Sequence, residues 1–338
     1  MKKISIICNQ YFDHNLESSY QRAFNSAGYQ VSVIEVEKYS TPYIKLGKFG
    51  ARLHQFLPLE AWDKKTGREI ALKLKAIDPD LILITGGTKI HIGVLAFVKS
   101  ILKAKIMFLW QDPLINWDAG FSEASRFIDF LATFNKATVP VFKRMGFEFV
   151  KWIPLAADEF IHKIDHSPQR FEKDLSFVGS WRPERDAYLA KIVHEFPGLD
   201  VNIFGIGWEN STNKTLKKST INKPLFGKEY ARTFNHSMIN LNVIDDTGYP
   251  SANMRFFELF ISHSLQLCSS CPDLEDTFIN NQHLLYFNNE DTLCEQIEFC
   301  LTNKDKLDCI RKEGHSIVNA NHLYHHRVQE ILHHIQTL

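Results

Sequence analysis

The stretch Gly248-Tyr-Pro-Ser-Ala-Asn-Met-Arg-Phe-Phe-Glu-Leu-Phe-Ile-Ser-His-Ser264 decides how the chain is read. It follows an apolar run, residues 239–243, with the character of a buried strand, and a polar loop over 245–251. From 253 to 262 the apolar residues Met254, Phe257, Phe260 and Ile261 recur at helical spacing, and Ser251 or Asn253 can cap that helix. Strand, tight polar loop and capped helix together make an anion site, because free N–H groups and the positive end of the helix dipole face outward. Arg255 lies in the first turn, where the dipole disfavours a cation; a bound phosphate accounts for it. Glu258, three residues on and on the same face, is placed to accept the hydroxyls of a ribose. On these residues alone, an Arg–Glu pair on the surface of an amphipathic helix carries equal weight.

Outward from this stretch the alternation repeats. Residues 265–268 and 284–287 read as strands, with a short helix over 274–278 between them. Upstream, a strand over 175–178 ends in Gly179-Ser180-Trp181-Arg182, with Arg185 just before a helix over 186–196. A Gly-Ser turn with two arginines at a strand end suits an anion. A strand over 201–204 runs into Gly205-Ile206-Gly207-Trp208, the polar and basic residues 210–223 read as an exposed loop, and 228–236 as a helix. The last third is helical, over 292–301, 304–318 and 324–335.

The first half opens as strand–loop–helix–strand: residues 4–8, a polar loop with Asp13 and His14, a helix over 16–27 stopped by Gly28, and a strand over 31–36. That is the start of a doubly wound parallel sheet. The loop lacks G-x-G-x-x-G, so it is not built for a dinucleotide pyrophosphate. Residues 43–62 are aromatic and basic, with Phe49, Leu53 and Phe56 at helical spacing, and read as a helical excursion. A helix over 65–77 precedes a strand over 81–84, which ends in Thr85-Gly86-Gly87-Thr88. Paired glycines at a strand end admit a ligand close to the backbone, or simply make a turn. A helix over 92–102 leads to a strand over 106–109 and then to Asp112-Pro113, a position for a catalytic carboxylate or an Asx turn. Strands over 130–132 and 149–152, split by a helix over 139–145, complete about six strands. A polar segment over 162–173 marks the domain boundary.

Composition narrows the classes. At 338 residues two domains are expected, and 39 Lys+Arg against 39 Asp+Glu gives no bulk charge for nucleic acid. Residues 4–8 are too short for a signal peptide, and no run approaches the ~20 apolar residues of a membrane span. Six scattered cysteines form no disulfide framework and fit a reducing cytoplasm. The one C-x-x-C, Cys268 and Cys271, lacks a second ligand pair and reads as two ordinary thiols. The paired histidines 325–326 and 333–334 read as a surface feature rather than a metal site. No metal and no cofactor are expected.

Phe177-Val-Gly-Ser180 with Arg185, Phe204-Gly205, Asn253-x-Arg255-x-Phe257-Glu258 and His322-x-Tyr324-x-x-Arg327 together resemble the C-terminal domain of group-1-like glycosyltransferases of the CgeB spore maturation type. The resemblance covers residues 174–330. It implies an α/β GT-B fold, two Rossmann-like domains with parallel sheets facing across a cleft. Residues 1–157 would be the acceptor domain and 158–321 the nucleotide-sugar domain, with the helix from 322 packing back. Carried over by motif, Glu258 would hold the ribose and Arg255 the diphosphate. Gly179 and Ser180 would line the phosphates, and Gly205 and Trp208 would lie near the base. Arg182, Arg185, Ser251 and Asn253 complete the expected donor pocket, and Asp13, Gly86 and Gly87 the acceptor side. Retaining relatives have an earlier Glu where this chain has Pro250, so retention and inversion both stay open.

The expected activity is metal-independent transfer of a sugar, from UDP by preference, to an acceptor hydroxyl. Arg255 would stabilise the leaving diphosphate, and Asp112, with His14 behind it, would be the base of an inverting course. The acceptor is a glycan, a lipid-linked molecule or a protein, with peripheral membrane association left open. A nucleotide-sugar hydrolase or epimerase, or a non-catalytic nucleotide-sugar-binding regulator, are the other readings.

Overall fold

The computed structural model describes residues 2–57, 59–117 and 119–337. They fall into two compact units. One takes the chain up to Pro154 and resumes at His325, and the other is Leu155–Tyr324.

The first unit is built on β1 (Lys3–Cys8), β2 (Gln30–Glu35), β3 (Leu81–Thr85), β4 (Lys105–Trp110), β5 (Phe130–Thr133) and β6 (Val150–Trp152). They pair in the order β2-β1-β3-β4-β5-β6, every pairing parallel. A parallel sheet is covered on both faces, so its strands must be apolar on both. All five residues of β3 are accordingly buried. Helices pack Ile70, Leu74, Val94 and Phe142 onto Ile84, Phe108 and Leu131. The chain returns here at its end: in the helix Tyr324–Gln336, Val328 and Ile331 are buried and Arg327 Nε donates to the Pro154 carbonyl at 2.9 Å.

The second unit repeats the plan with β7 (Lys173–Val178), β8 (Val201–Phe204), β9 (Thr220–Ile221), β10 (Ser237–Asn242), β11 (Gln266–Ser269) and β12 (Leu285–Phe287), ordered β12-β11-β10-β7-β8-β9 and parallel throughout. Each sheet has one point where the strand order reverses, between β1 and β3 in the first unit and between β7 and β10 in the second. Crevices at the carboxyl ends of such strands are where open α/β sheets take ligands.

Three local readings change. Residues 210–223 are not a plain loop. Asn213 caps a helix, Lys214–Ser219, by accepting from the Thr215 and Leu216 N–H groups, and Leu216 is fully buried. One apolar anchor inside a polar stretch is enough to dock a short helix. Residues 274–278 form successive turns, with Leu274 N–H donating to Cys271 O and Phe278 N–H to Leu274 O, and no helix develops. The stretch is too short to offset helix nucleation. Residues 92–102 split into an α-helix, Ile92–Phe97, and a wider π-helical turn, Val98–Leu102.

Candidate active site

Phe177, near the end of β7, organises the second unit's reversal point. Its ring is fully buried, and two guanidinium groups lie against it, Arg255 at 5.6 Å and Arg185 at 5.9 Å from the ring centre. Arg185 is held further by its own bonds. Nη1 donates to the Ser180 carbonyl at 2.8 Å and Nη2 to Asp245 Oδ1 at 2.8 Å. Asp245 stands in the loop after β10, so this pair ties the two strands that flank the reversal. Arg182 reaches the same carboxylate at 3.6 Å from a more exposed position. Burial, then the neighbouring Arg255, brings the Arg185 pKa down to about 10. It stays a cation at neutral pH. The Nε–H groups of Arg185 and Arg255 are both buried without an acceptor among the described residues. Two buried, unsatisfied cationic donors beside one ring are costly unless an anion meets them.

Arg255 is positioned through the cap of its helix, Met254–Ile261. Asn253 is the cap, its side chain accepting from the Phe256 N–H at 3.1 Å. Asn253 and Asn242 exchange amide hydrogen bonds, and Arg255 Nη1 donates to Asn242 Oδ1 at 3.2 Å. Ser251 does not cap. It is buried and its hydroxyl bonds the Asp273 carboxylate, which fixes the loop before the helix. Glu258 is buried as well, with Oε2 accepting from Tyr230 Oη at 2.7 Å and Oε1 3.9 Å from His162 Nδ1. The surface Arg–Glu pair is therefore set aside. Burial and the Glu258 charge push the Tyr230 phenol well above its ordinary pKa, so it remains the donor. A carboxylate has four lone-pair positions, and one bond to Tyr230 leaves capacity for hydroxyls.

Two glycines let the loops meet. A Cβ on Gly205, at φ +145°, would sit 2.0 Å from the Gly179 carbonyl oxygen. A Cβ on Gly179 would sit 3.0 Å from Arg255 Nη2 and from the Phe177 ring. Trp208 is buried, and its Nε1–H donates to the Gly179 carbonyl at 2.9 Å. It acts on the site by holding Gly179 rather than by offering a face to a base. Ser180 is exposed at the end of the turn.

At the first unit's reversal point a second cluster forms. Asn9 Nδ2 donates to Gly87 O at 2.6 Å, and Thr85 Oγ1 donates to Glu17 Oε1 at 2.7 Å. Gly86 N–H donates to Leu109 O at 2.8 Å and meets Gln111 Oε1 at 3.3 Å. Asp112 is half-buried, with Oδ2 3.7 Å from where a Gly87 Cβ would stand. Burial raises the pKa of Asp112, and burial followed by the Asp112 charge raises that of Glu17. Gly86, Gly87 and Asp112 thus share one place. Asp13 is exposed, and His14 stacks on Phe12 at 5.7 Å.

The sequence reading missed Glu17, Tyr230, Asn242 and His162. Asn242 leaves a signal, since residues 239–243 alternate apolar side chains with Asn240 and Asn242, and all five are buried. Glu17 looks like any acid in a helical first turn. Among the described residues no three His, Cys, Asp or Glu side chains converge as they would around a metal ion. Cys268 and Cys271 are free buried thiols, and His334 packs 5.6 Å from the Phe130 ring. No described helix is long and apolar enough to cross a membrane.

Residues 184–333 match a family described as glycosyl transferase-like, without selecting the spore maturation type. No curated protein matches the chain. Sucrose-phosphate synthase from Thermosynechococcus elongatus superposes with a TM-score of 0.68 at 11% identity over 100% of both chains. A glycosyltransferase from Rickettsia africae gives 0.68 at 13% identity over 98% of this chain and 97% of that one. HepE from Anabaena, in complex with UDP and glucose, gives 0.68 at 12% identity over 100% of both. At such identities the likeness establishes the fold, which is GT-B.

Proposed function

Because residues 184–333 match a glycosyl transferase-like family, we propose that the chain moves a sugar from a nucleoside diphosphate, UDP by preference, to an acceptor hydroxyl. The observation that carries this reading is the pair of arginines against Phe177, Arg185 buried and Arg255 partly so, each with a buried, unsatisfied Nε–H, at the reversal point of β7 and β10. Similar folds solved with UDP and glucose support the choice of nucleotide. The second unit is the donor side and the first the acceptor side, and free cysteines throughout fit a cytoplasmic setting.

In this reading the bond from the anomeric carbon to the diphosphate oxygen breaks, and charge builds on the departing phosphate. Arg255 and Arg185 meet that charge from fixed positions, without reorganising, which is the efficient form of electrostatic catalysis. This role needs no metal. Glu258 accepts from the ribose, while Gly179, with no side chain, lets the diphosphate approach the backbone. Asn253 and Ser251 hold the loop and helix that carry Arg255. In an inverting course Asp112 takes the proton as the acceptor oxygen bonds to the anomeric carbon. In a retaining course it orients sugar hydroxyls instead.

Calorimetric titration with UDP, GDP, dTDP and CMP, with and without magnesium, tests the proposal. Micromolar binding of one diphosphate, unchanged by magnesium and lost in Glu258→Ala, is the expected result. Absence of binding by all four would remove the transferase reading.

A further inference from the structure

The helix Thr41–Phe56 belongs to the first unit, and its outer side is apolar. Ile44 is 66% exposed, Phe49 72%, Phe56 75% and Leu57 67%, with Leu46 and Leu53 also open to solvent. After the break at Gly47, residues 49, 53 and 56 recur at i, i+4 and i+7 and share one face. At ~100° per residue, Lys48 and Arg52 fall on the flank of that face. Lys45 lies over the Trp62 ring at 5.8 Å. From Lys38 to Leu59 there is no Asp or Glu.

These side chains are not core residues that missed their core. The segment is anchored from its inner side. Thr41 and Pro42 are buried, and Thr41 N–H donates to Thr66 Oγ1 at 3.3 Å. His54 stacks on Trp62 of the next helix at 5.9 Å, and across the kink at Gly47 the segment closes on itself, so that a Cβ on Gly50 would lie 2.3 Å from the Pro42 carbonyl. Leu59 N–H donates to His54 Nε2 at 3.0 Å. The fold thus holds the helix by one side and presents phenylalanines and leucines on the other, with cations at their margin. A contiguous apolar patch of this kind marks an interaction surface. Charge chooses the partner. A protein partner's apolar groove makes no demand for flanking cations, whereas an anionic bilayer offers hydrocarbon below and negative headgroups at the level of the flank.

We propose that Tyr43–Leu57 is a membrane-docking element that lies in the interface of an anionic lipid bilayer, with Phe49, Leu53 and Phe56 inserted and Lys45, Lys48 and Arg52 among the headgroups. The inference rests on this surface alone and stands or falls separately from the nucleotide reading.

Flotation of the full chain with vesicles tests it. Binding is expected to phosphatidylcholine vesicles containing about one third phosphatidylglycerol, and it should weaken with salt as exposed charge interactions do. Phe49→Ser/Phe56→Ser should lower that binding at least ~10-fold. Lys45→Glu/Lys48→Glu/Arg52→Glu should lower it on the order of 100-fold, given the usual contribution of each cation at such a surface. All these residues are exposed, so both variants should keep the wild-type melting temperature to within about 2 °C. Equal binding to neutral and anionic vesicles, no binding to either, or unchanged binding by both variants would overturn the proposal. So would a dimer in sedimentation velocity that Phe49→Ser/Phe56→Ser dissolves, since the patch would then face a second copy of this chain.

Discussion

At the residue scale the proposed chemistry turns on a few polar groups in apolar surroundings. Arg255 owes its place to Asn242, Asn253 and the Phe177 ring, none of which is charged. Arg255→Ala should therefore remove transition-state stabilisation with little damage to the fold, lowering kcat by ~10²–10³. A loss under about threefold in a donor-saturated assay would refute its assigned role. Asp112 gives a pH signature. Burial lifts its pKa above the carboxylate's usual value, and a base must be ionised to work. In an inverting enzyme kcat/KM should rise with pH through that raised pKa and level off above it. Asp112→Asn should cost ~10²–10⁴ and abolish this acid limb. An acid limb that survives in the variant assigns it to another group, Glu17 first.

Elements place these residues, and here the sequence is uneven as a guide. Strand and helix positions are legible, because a doubly wound sheet demands apolar runs of strand length separated by amphipathic helices. Arg255 stands out in the sequence, since a cation in a first turn violates the dipole rule, but that rule does not tell a phosphate partner from a surface Arg–Glu pair. Strand order is not, because periodicity records which face is buried and not which neighbour is paired. Trp208 shows a further blind spot. The family resemblance implies a place near the base, while packing buries the ring and turns its Nε1–H to the Gly179 carbonyl. The loops after β7 and β8 touch backbone to backbone at Gly179 and Gly205. Gly205→Ala should force them apart and destabilise the second unit by about 1–3 kcal/mol. Urea unfolding gives the loss, and a midpoint equal to wild type would show that the contact yields freely.

For the whole molecule, a buried histidine should make stability fall in acid. His263, just past the helix that carries Arg255, is buried against His315, their ring centres 4.8 Å apart. Burial, then the His315 charge, lowers its pKa to about 4. Once unfolded it takes a proton near pH 6.5, while folded it does so only near 4, so stability is full above 6.5 and falls as pH drops between these values. The loss should be on the order of 2 kcal/mol. His263 adopts φ 54°, which Asn tolerates, so His263→Asn should keep the turn and flatten the slope between pH 7 and 5 in chemical denaturation. A slope unchanged from wild type would shift the effect to His315. The chain path has a consequence of another sort. The first unit lacks its final helix until the residues from His325 onward are made. A chain that stops before His325 leaves Pro154 and Tyr20 unmet by Arg327. Domains usually mature from the amino end during synthesis. In this chain the amino-terminal unit cannot do so, and it is the one that loss of the residues from His325 onward would leave unfinished.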